Sequence, residues 1–492
     1  MVFAELHHHI TFASPYFVLA FVPAAILLVA CARRFGAPAA TLALIVVSLA
    51  FYVSWGAAAL LVLAGSIAAN YTLRRLLIAA NERGRPGAAR AWLALTVTAN
   101  LAVLAYFKYL AFFAAMLAGF EAPPSPAWLP LGVSFFTFQE ITLAVDAFKG
   151  KYHKSFLRYV AFITFFPHLV AGPLLHHSEL IPQMRRVGVR AFNIALGMTI
   201  FAAGLFKKVC LADPLAPLVA RAFDAPQLPG FADAWLAALA YGMQLYFDFS
   251  GYSDMAIGLG YLFNIRLPVN FFSPYKAASI IEFWRRWHMT LSRFLREYVY
   301  YPLGGNRKGP ARRYVNILIV MLVGGLWHGA NWTFVAWGGT HGALLLVNHA
   351  WSGLRARLFP AWSGSLVSYT AARSLTFACA IFAWVPFRAH DMHRAIDMWA
   401  AMLTWPASAS VLRGEFPYAV ALLLPLVLIT QLAPNTAELM LAGRGKVFGY
   451  PRVAMRWTWK PTVAMACASG LLLAISLSAS LQGTPIFLYW NF

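Results

Sequence analysis

Apolar stretches of about 20 residues, each long enough to cross a bilayer as a helix, recur along this chain from Thr11 to Ser480. The gaps between them are too short to hold a soluble domain. Composition agrees: 61% of the 492 residues are hydrophobic and 11% charged, against roughly 25% charged in a typical soluble domain. The expected solvent is lipid, and the expected fold is all-α, one polytopic membrane domain over residues 1–492. Glu5 and three histidines precede the first apolar run, unlike the basic start of a secretory leader, so the N-terminus is expected to be retained.

A net charge of +22 would point to nucleic acid in a soluble protein. Here the basic residues gather in short connections, as in Arg74-Arg75 through Arg83, Arg85 and Arg90, which is how cytoplasmic loops fix topology. The charge therefore reports orientation and anionic lipid, with no nucleic-acid partner. The four cysteines lie singly, so neither a disulfide framework nor a CxxC metal site is expected.

Thr11–Cys31 ends at Arg33-Arg34 and is read as crossing inward. Thr41–Trp55 and Ala57–Tyr71 are individually short and read as a hairpin that dips in and returns. Ala91–Leu117 leads to an outer loop at Glu121–Pro126, and Leu129–Phe148 returns to Lys149–Lys154. Phe156–Ile181 has basic flanks at both ends and is broken by Pro167, Gly172 and Pro173; a re-entrant element beside an internal cavity accounts for that. Phe192–Ala212 leads to an outer loop, Asp224–Gly230, and Phe231–Leu262 comes back. Residues 264–313 read as an amphipathic cytoplasmic or interfacial element, and 314–350 as a helix pair carrying the central histidine. Leu366–Phe387, Tyr418–Leu432 and Pro461–Ser480 complete the spans.

His328 lies near the middle of the 37-residue apolar stretch Tyr314–Ala350, between Gly324-Gly325 and Gly329. An ionisable group at that depth is expensive and faces a cavity or a partner, which favours function over a packed histidine. Within Glu282–Ser292, read as a helix, Trp284 and His288 are i, i+4 and share a face, with Arg285, Met289 and Ser292 beside them. On composition alone that stretch is a snorkelling basic and aromatic belt. Asp248 and Asp254 are six residues apart in an apolar span and fall on different helical faces, so each is expected to bond a nearby hydroxyl or arginine in support of a tunnel. His168 is a candidate for the same cavity, and His341 reads as packed. His7–His9 and His176-His177 suggest a metal only weakly, and no metal site is expected.

Seven blocks in order carry a resemblance: Pro130–Gln139, Phe166–Pro173, Tyr246–Gly260, Phe283–Ser292, Leu303–Arg307, Gly325–Asn331 and Trp384–Ala389. The chain resembles, nearly end to end, the membrane-bound O-acyltransferase (MBOAT) superfamily, in the bacterial branch of alginate O-acetylation and teichoic-acid D-alanylation. Leu303–Arg307 and the full-length pattern look closest to the alginate type. The resemblance implies that His328 is the superfamily's invariant histidine, and that His288 fills a second signature position where eukaryotic branches usually have Asn. Pro386 and His176-His177 are small departures.

The resemblance and the residues together lead to these expectations. The architecture is a ring of about ten or more transmembrane helices around a central tunnel, with re-entrant and interfacial helices. His328 and His288 are catalytic; Trp284, Arg285, Arg286, Trp287, Trp327, Asn331, Asp248, Asp254 and His168 are candidates for binding donor or substrate. No cofactor is held; acetyl-CoA or another acyl thioester is the donor, its phosphates meeting Arg285, Arg286, Arg293 and Arg296. The acceptor is a polysaccharide, the partners a periplasmic SGNH-type acetyltransferase and an acyl carrier, and the location the bacterial inner membrane. D-alanyl transfer and peptidoglycan O-acetylation are the alternatives within the family. A transporter or flippase with a histidine proton relay is the alternative of another class.

Overall fold

The computed structural model describes residues 10–116, 129–169, 172–359, 364–404, 415–441, 459–482 and 488. The histidines His7–His9, the outer loop Glu121–Pro126, and Val170 and Ala171 of the Phe166–Pro173 block lie outside the described residues. Among the described residues the fold is all-helical.

The chain runs through α1 (Phe17–Arg33), α2 (Ala37–Val53), α3 (Ala57–Glu82), α4 (Pro86–Met116) and α5 (Val133–Phe148). It continues through α6 (Phe156–Thr164), α7 (Ala191–Phe223), α8 (Phe231–Leu262), α9 (Ile280–Arg286) and α10 (Met289–Leu295). Then come α11 (Gly309–His328), α12 (Trp332–Leu358), α13 (Leu366–Arg388), α14 (Met392–Leu403), α15 (Phe416–Leu441) and α16 (Val463–Ser480). Among the described residues, six of these are long and apolar enough to cross a membrane: α3, α4, α7, α13, α15 and α16. The protein is thus a multi-pass membrane protein. Burial separates peripheral spans from core ones: 11% of the α16 window is buried against 56% for α7. Exposed Leu366, Val463 and Leu471 on α13 and α16 suit a lipid-facing surface.

Contacts divide the chain into two compact units. One comprises residues 1–205, 252–268 and 460–485, the other 206–251, 269–459 and 486–492.

In the first unit, rings of Phe12, Phe17, Phe21 and Phe51 pack around Phe166 at centroid distances of 5.5 to 6.2 Å. Helices α3 and α4 are joined by the reciprocal amide bonds of Asn70 and Asn100, 2.6 and 3.3 Å, a polar link suited to an apolar surround. The expected shallow hairpin is corrected here. α3 does not stop at Tyr71 but runs 26 residues to Glu82, long enough to span. The reason is Arg74, read from sequence as a loop charge. It is buried, lies over the Tyr159 ring at 5.0 Å and donates to the His153 carbonyl at 3.0 Å. Phe156–Ile181 is broken at Phe165 and again beyond Leu169 before the short helix His177–Leu180.

In the second unit, α11 and α12 form a tight antiparallel pair. Glycines permit the approach: a Cβ at Gly338 would lie 2.4 Å from the Met321 carbonyl oxygen, and one at Gly325 2.2 Å from that of Phe334. Residues 269–308 form only short helices, among them α9 and α10, and the rest of the expected interfacial stretch from 309 onward is the start of α11.

Candidate active site

His328 is the last residue of α11, and Gly329 follows it in extended backbone. A Cβ at Gly329 would sit 2.1 Å from the Phe334 ring, so the turn that exposes the end of α11 to α12 needs this glycine for packing. Asn331 closes the turn. Its Oδ1 accepts from the Thr333 N–H at 3.1 Å, capping α12, while its Nδ2 donates to the His390 carbonyl at 3.0 Å. The His328 ring is boxed by Trp327 (4.9 Å), Trp337 (5.0 Å, edge-on) and Phe387 (5.0 Å). Trp327 and Phe387 come from two of the sequence blocks; Trp337 comes from α12.

His288 arrives from a different element, and the expected continuous helix through it is corrected. α9 ends at Arg286, Trp287 is extended, and His288 adopts φ 42°, ψ 52°, the left-handed region, before α10 begins at Met289. Trp284 and His288 therefore do not share a helical face. The kink is held by Asn270. Its carbonyl accepts the Met289 N–H at 3.0 Å, and its Oδ1 accepts from the Thr290 N–H (3.3 Å), the Thr290 hydroxyl (2.9 Å) and His288 Nδ1 (3.1 Å). The edge of Phe249 meets the His288 ring at 4.8 Å. His288 lies outside the candidate spans, and burial pushes its imidazole down to about 3, so the ring is neutral at physiological pH.

The centroids of His288 and His328 lie 6.2 Å apart, and Trp327 touches both rings. A hydrogen bond of roughly 3 Å between two imidazoles, whose nitrogens lie about 1 Å from their ring centres, requires centroids within about 5 Å. The two rings do not bond directly, yet a single oxygen between them can reach both.

The remaining candidates divide. Trp287 is buried against Trp384 (4.7 Å), Phe271 (5.0 Å) and Phe283 (5.5 Å), as part of the core behind the kink. Trp284 is half-buried, 5.8 Å from Trp337. Arg285 is exposed, whereas Arg286 is tied to Glu282 at 2.6 Å and to the Phe272 carbonyl. Among the described residues Asp248 bonds no hydroxyl or arginine: it pairs with buried Lys208 at 2.5 Å and accepts from the Leu488 N–H. His168 and Asp254 belong to the other unit, where His168 packs on Phe162 and Phe165. His176 caps its own short helix with Glu179, and His177 bonds Asp146 at 3.1 Å.

Sequence reasoning missed Asn270 and Lys208. His341, read as packed, is fully buried among Phe283 (parallel, 6.1 Å), Trp284 and Trp337 (both 5.1 Å). Trp337 thus separates it from His328. Asn270 carries no local signal, because its partners lie 18 to 20 residues away.

The arrangement suits proton transfer: two imidazoles from separate elements, one at a helix C-terminus, in an aromatic surround. Comparison with known proteins follows that chemistry. The profile described as "MBOAT, membrane-bound O-acyltransferase family" matches residues 93–385, which include His288 and His328. The chain is 40% identical over 432 residues to a peptidoglycan O-acetyltransferase of Helicobacter pylori, covering 80% of this chain and 79% of that protein. It is 41% identical over 379 residues to a probable alginate O-acetylase of Pseudomonas aeruginosa, covering 75% and 71%. A teichoic acid D-alanyltransferase of Bacillus subtilis is 25% identical over 286 residues, covering 54% and 72%.

Proposed function

The chain belongs to the membrane-bound O-acyltransferase family, and on that premise we propose that it moves acetyl from a cytoplasmic thioester to hydroxyls of an extracytoplasmic glycan, with His328 as general base. The observation that carries this reading is the pairing of His328 and His288, 6.2 Å apart at the end of α11. A hydroxyl gives its proton to His328 as its oxygen attacks the thioester carbonyl. When the tetrahedral intermediate collapses, the C–S bond breaks and the imidazolium returns the proton to the leaving thiolate.

Exposed Arg285, next in the chain to Trp284, whose ring packs on Trp337, suits the phosphates of acetyl-CoA or of a carrier-borne thioester. Acetyl rather than D-alanyl transfer is supported by identities of 40 and 41% against 25%. An alginate-like exopolysaccharide is the acceptor that the Leu303–Arg307 block favours, and the Helicobacter relative supports peptidoglycan as a second reading. In either case a periplasmic SGNH-type acetyltransferase completes delivery, and the protein sits in the bacterial inner membrane.

The test is His328→Ala at unchanged expression, read as ester-linked acetate on the extracytoplasmic glycan. A loss of roughly 10²- to 10⁴-fold is expected for a general base; retained acetylation removes His328 from the chemistry. Purified wild type given acetyl-CoA, with and without acceptor and partner, supplies the second arm. No thioester turnover under any of these conditions would replace acyl transfer with transport.

A further inference from the structure

The hydrogen bonds around Asn270 determine which nitrogen of His288 carries the proton. A backbone N–H can only donate, so the side-chain atom of Asn270 that receives the Thr290 N–H at 3.3 Å is its carbonyl oxygen. The same oxygen takes the Thr290 hydroxyl at 2.9 Å and faces His288 Nδ1 at 3.1 Å. An acceptor opposite Nδ1 requires that Nδ1 carry a hydrogen. In the neutral ring Nε2 is then a bare lone pair, and it is buried with no hydrogen-bond partner among the described residues. The left-handed backbone at His288 is what brings Nδ1 to this oxygen. Asn270 pays for that strain with four bonds across the kink: one from Met289, two from Thr290 and one from the imidazole.

A neutral His288 in this tautomer has no hydrogen at Nε2. It cannot donate there to a developing oxyanion, and it cannot protonate a leaving thiolate from that atom. What it offers is an acceptor, 6.2 Å from a ring that becomes positively charged during the reaction. We propose that Asn270 is a positioning residue that locks His288 as the Nδ1–H tautomer, so that its Nε2 lone pair accepts, through one bridging water, a hydrogen of the imidazolium formed on His328. Asn270, His288 and His328 thus form an ordered relay in which each side chain orients the next. One proton is shared at the His328 end while the His288 end stays neutral. This rests on His328 being the base; the tautomer of His288 is independent of that assignment and is measured separately.

Two measurements on the full-length protein test it. The first is ¹⁵N NMR of histidine-labelled wild type in detergent, the His288 signals assigned by their loss in His288→Gln. A protonated Nδ1 with an unprotonated Nε2 is expected; the reverse tautomer overturns the proposal whether or not His328 is catalytic. The second is the pH dependence of acetyl transfer in Asn270→Asp. The carboxylate keeps every acceptor contact and the side-chain shape, but a negative charge beside His288 raises the pH at which the ring charges and Nε2 gains a hydrogen. An adjacent opposite charge moves a pKa by about 1–3 units, so activity is expected to fall on the acid side of neutrality, with the acid limb displaced to higher pH and recovery as pH rises. A folded Asn270→Asp protein with the wild-type profile overturns the relay. Should the variant fail to fold, the wild-type tautomer still decides.

Discussion

Lys208 shows how much of the site depends on residues that touch no substrate. It is 3% exposed, and its ammonium lies 2.5 Å from both Asp213 and Asp248, the latter 1% exposed. Three charges in so apolar a place are tolerable only as a set, since removing one leaves another unpaired. Asp248 neighbours Phe249, whose ring packs edge to face with His288, so the cluster fixes the register of α8 beside the histidine pair. Lys208→Met is expected to destabilise by about 3–5 kcal/mol, seen as a large fall in melting temperature in detergent. Lys208→Met with Asp248→Asn should be milder than the single change, because the more deeply buried of the two stranded carboxylates is gone. Equal melting temperatures for the single variant and wild type would mean that the cluster is solvated and carries no weight. At this scale the sequence was only half legible. His328 and His288 stood out because ionisable groups in apolar or motif-bearing stretches are rare, and Asp248 for the same reason. Asn270 and Lys208 did not stand out, because their meaning lies in partners that the chain brings together only on folding.

Among elements, the crossing of α11 and α12 places His328, and small residues set that crossing. Gly338 and Gly339 are adjacent on α12 yet differ in surroundings: an added Cβ would meet the Met321 carbonyl oxygen at 2.4 Å in the first case and a Leu322 methyl at 3.9 Å in the second. Gly338→Ala must push the two helices apart, at a cost of about 1–3 kcal/mol for overpacking, and should displace His328 enough to cut transfer sharply. Gly339→Ala should be neutral or slightly stabilising, since alanine is the better helix former. Matched melting and activity assays on the two variants check this, and comparable losses would show that helix propensity rather than contact governs the pair. Apolar run lengths made the helices themselves legible, with ends that were less so. α3 outran its predicted stop because burial over Tyr159 turned Arg74 from a terminator into a core residue. The helix read through His288 broke because Asn270 and Thr290 hold a left-handed residue that a 3.6-residue period cannot anticipate.

For the whole molecule, orientation in the membrane decides which face meets the thioester. The connection between α3 and α4 holds Arg83 and Arg85, with Arg90 in the first turns of α4, whereas Asp224–Gly230 between α7 and α8 has no lysine or arginine. By the positive-inside bias the first is expected in the cytoplasm and the second outside. Arg85 and Leu228 are both exposed, so each can report its side. In a background lacking the four native cysteines, Leu228→Cys is expected to react with a membrane-impermeant maleimide in intact spheroplasts, and Arg85→Cys only after permeabilisation. The reverse pattern would turn Arg285 by the same rule toward the outer face, where a cytoplasmic acyl donor does not reach it. Direct acyl transfer from acetyl-CoA would then be untenable even with every side chain of the histidine pair in place, because the chemistry needs the donor and the base on one continuous route.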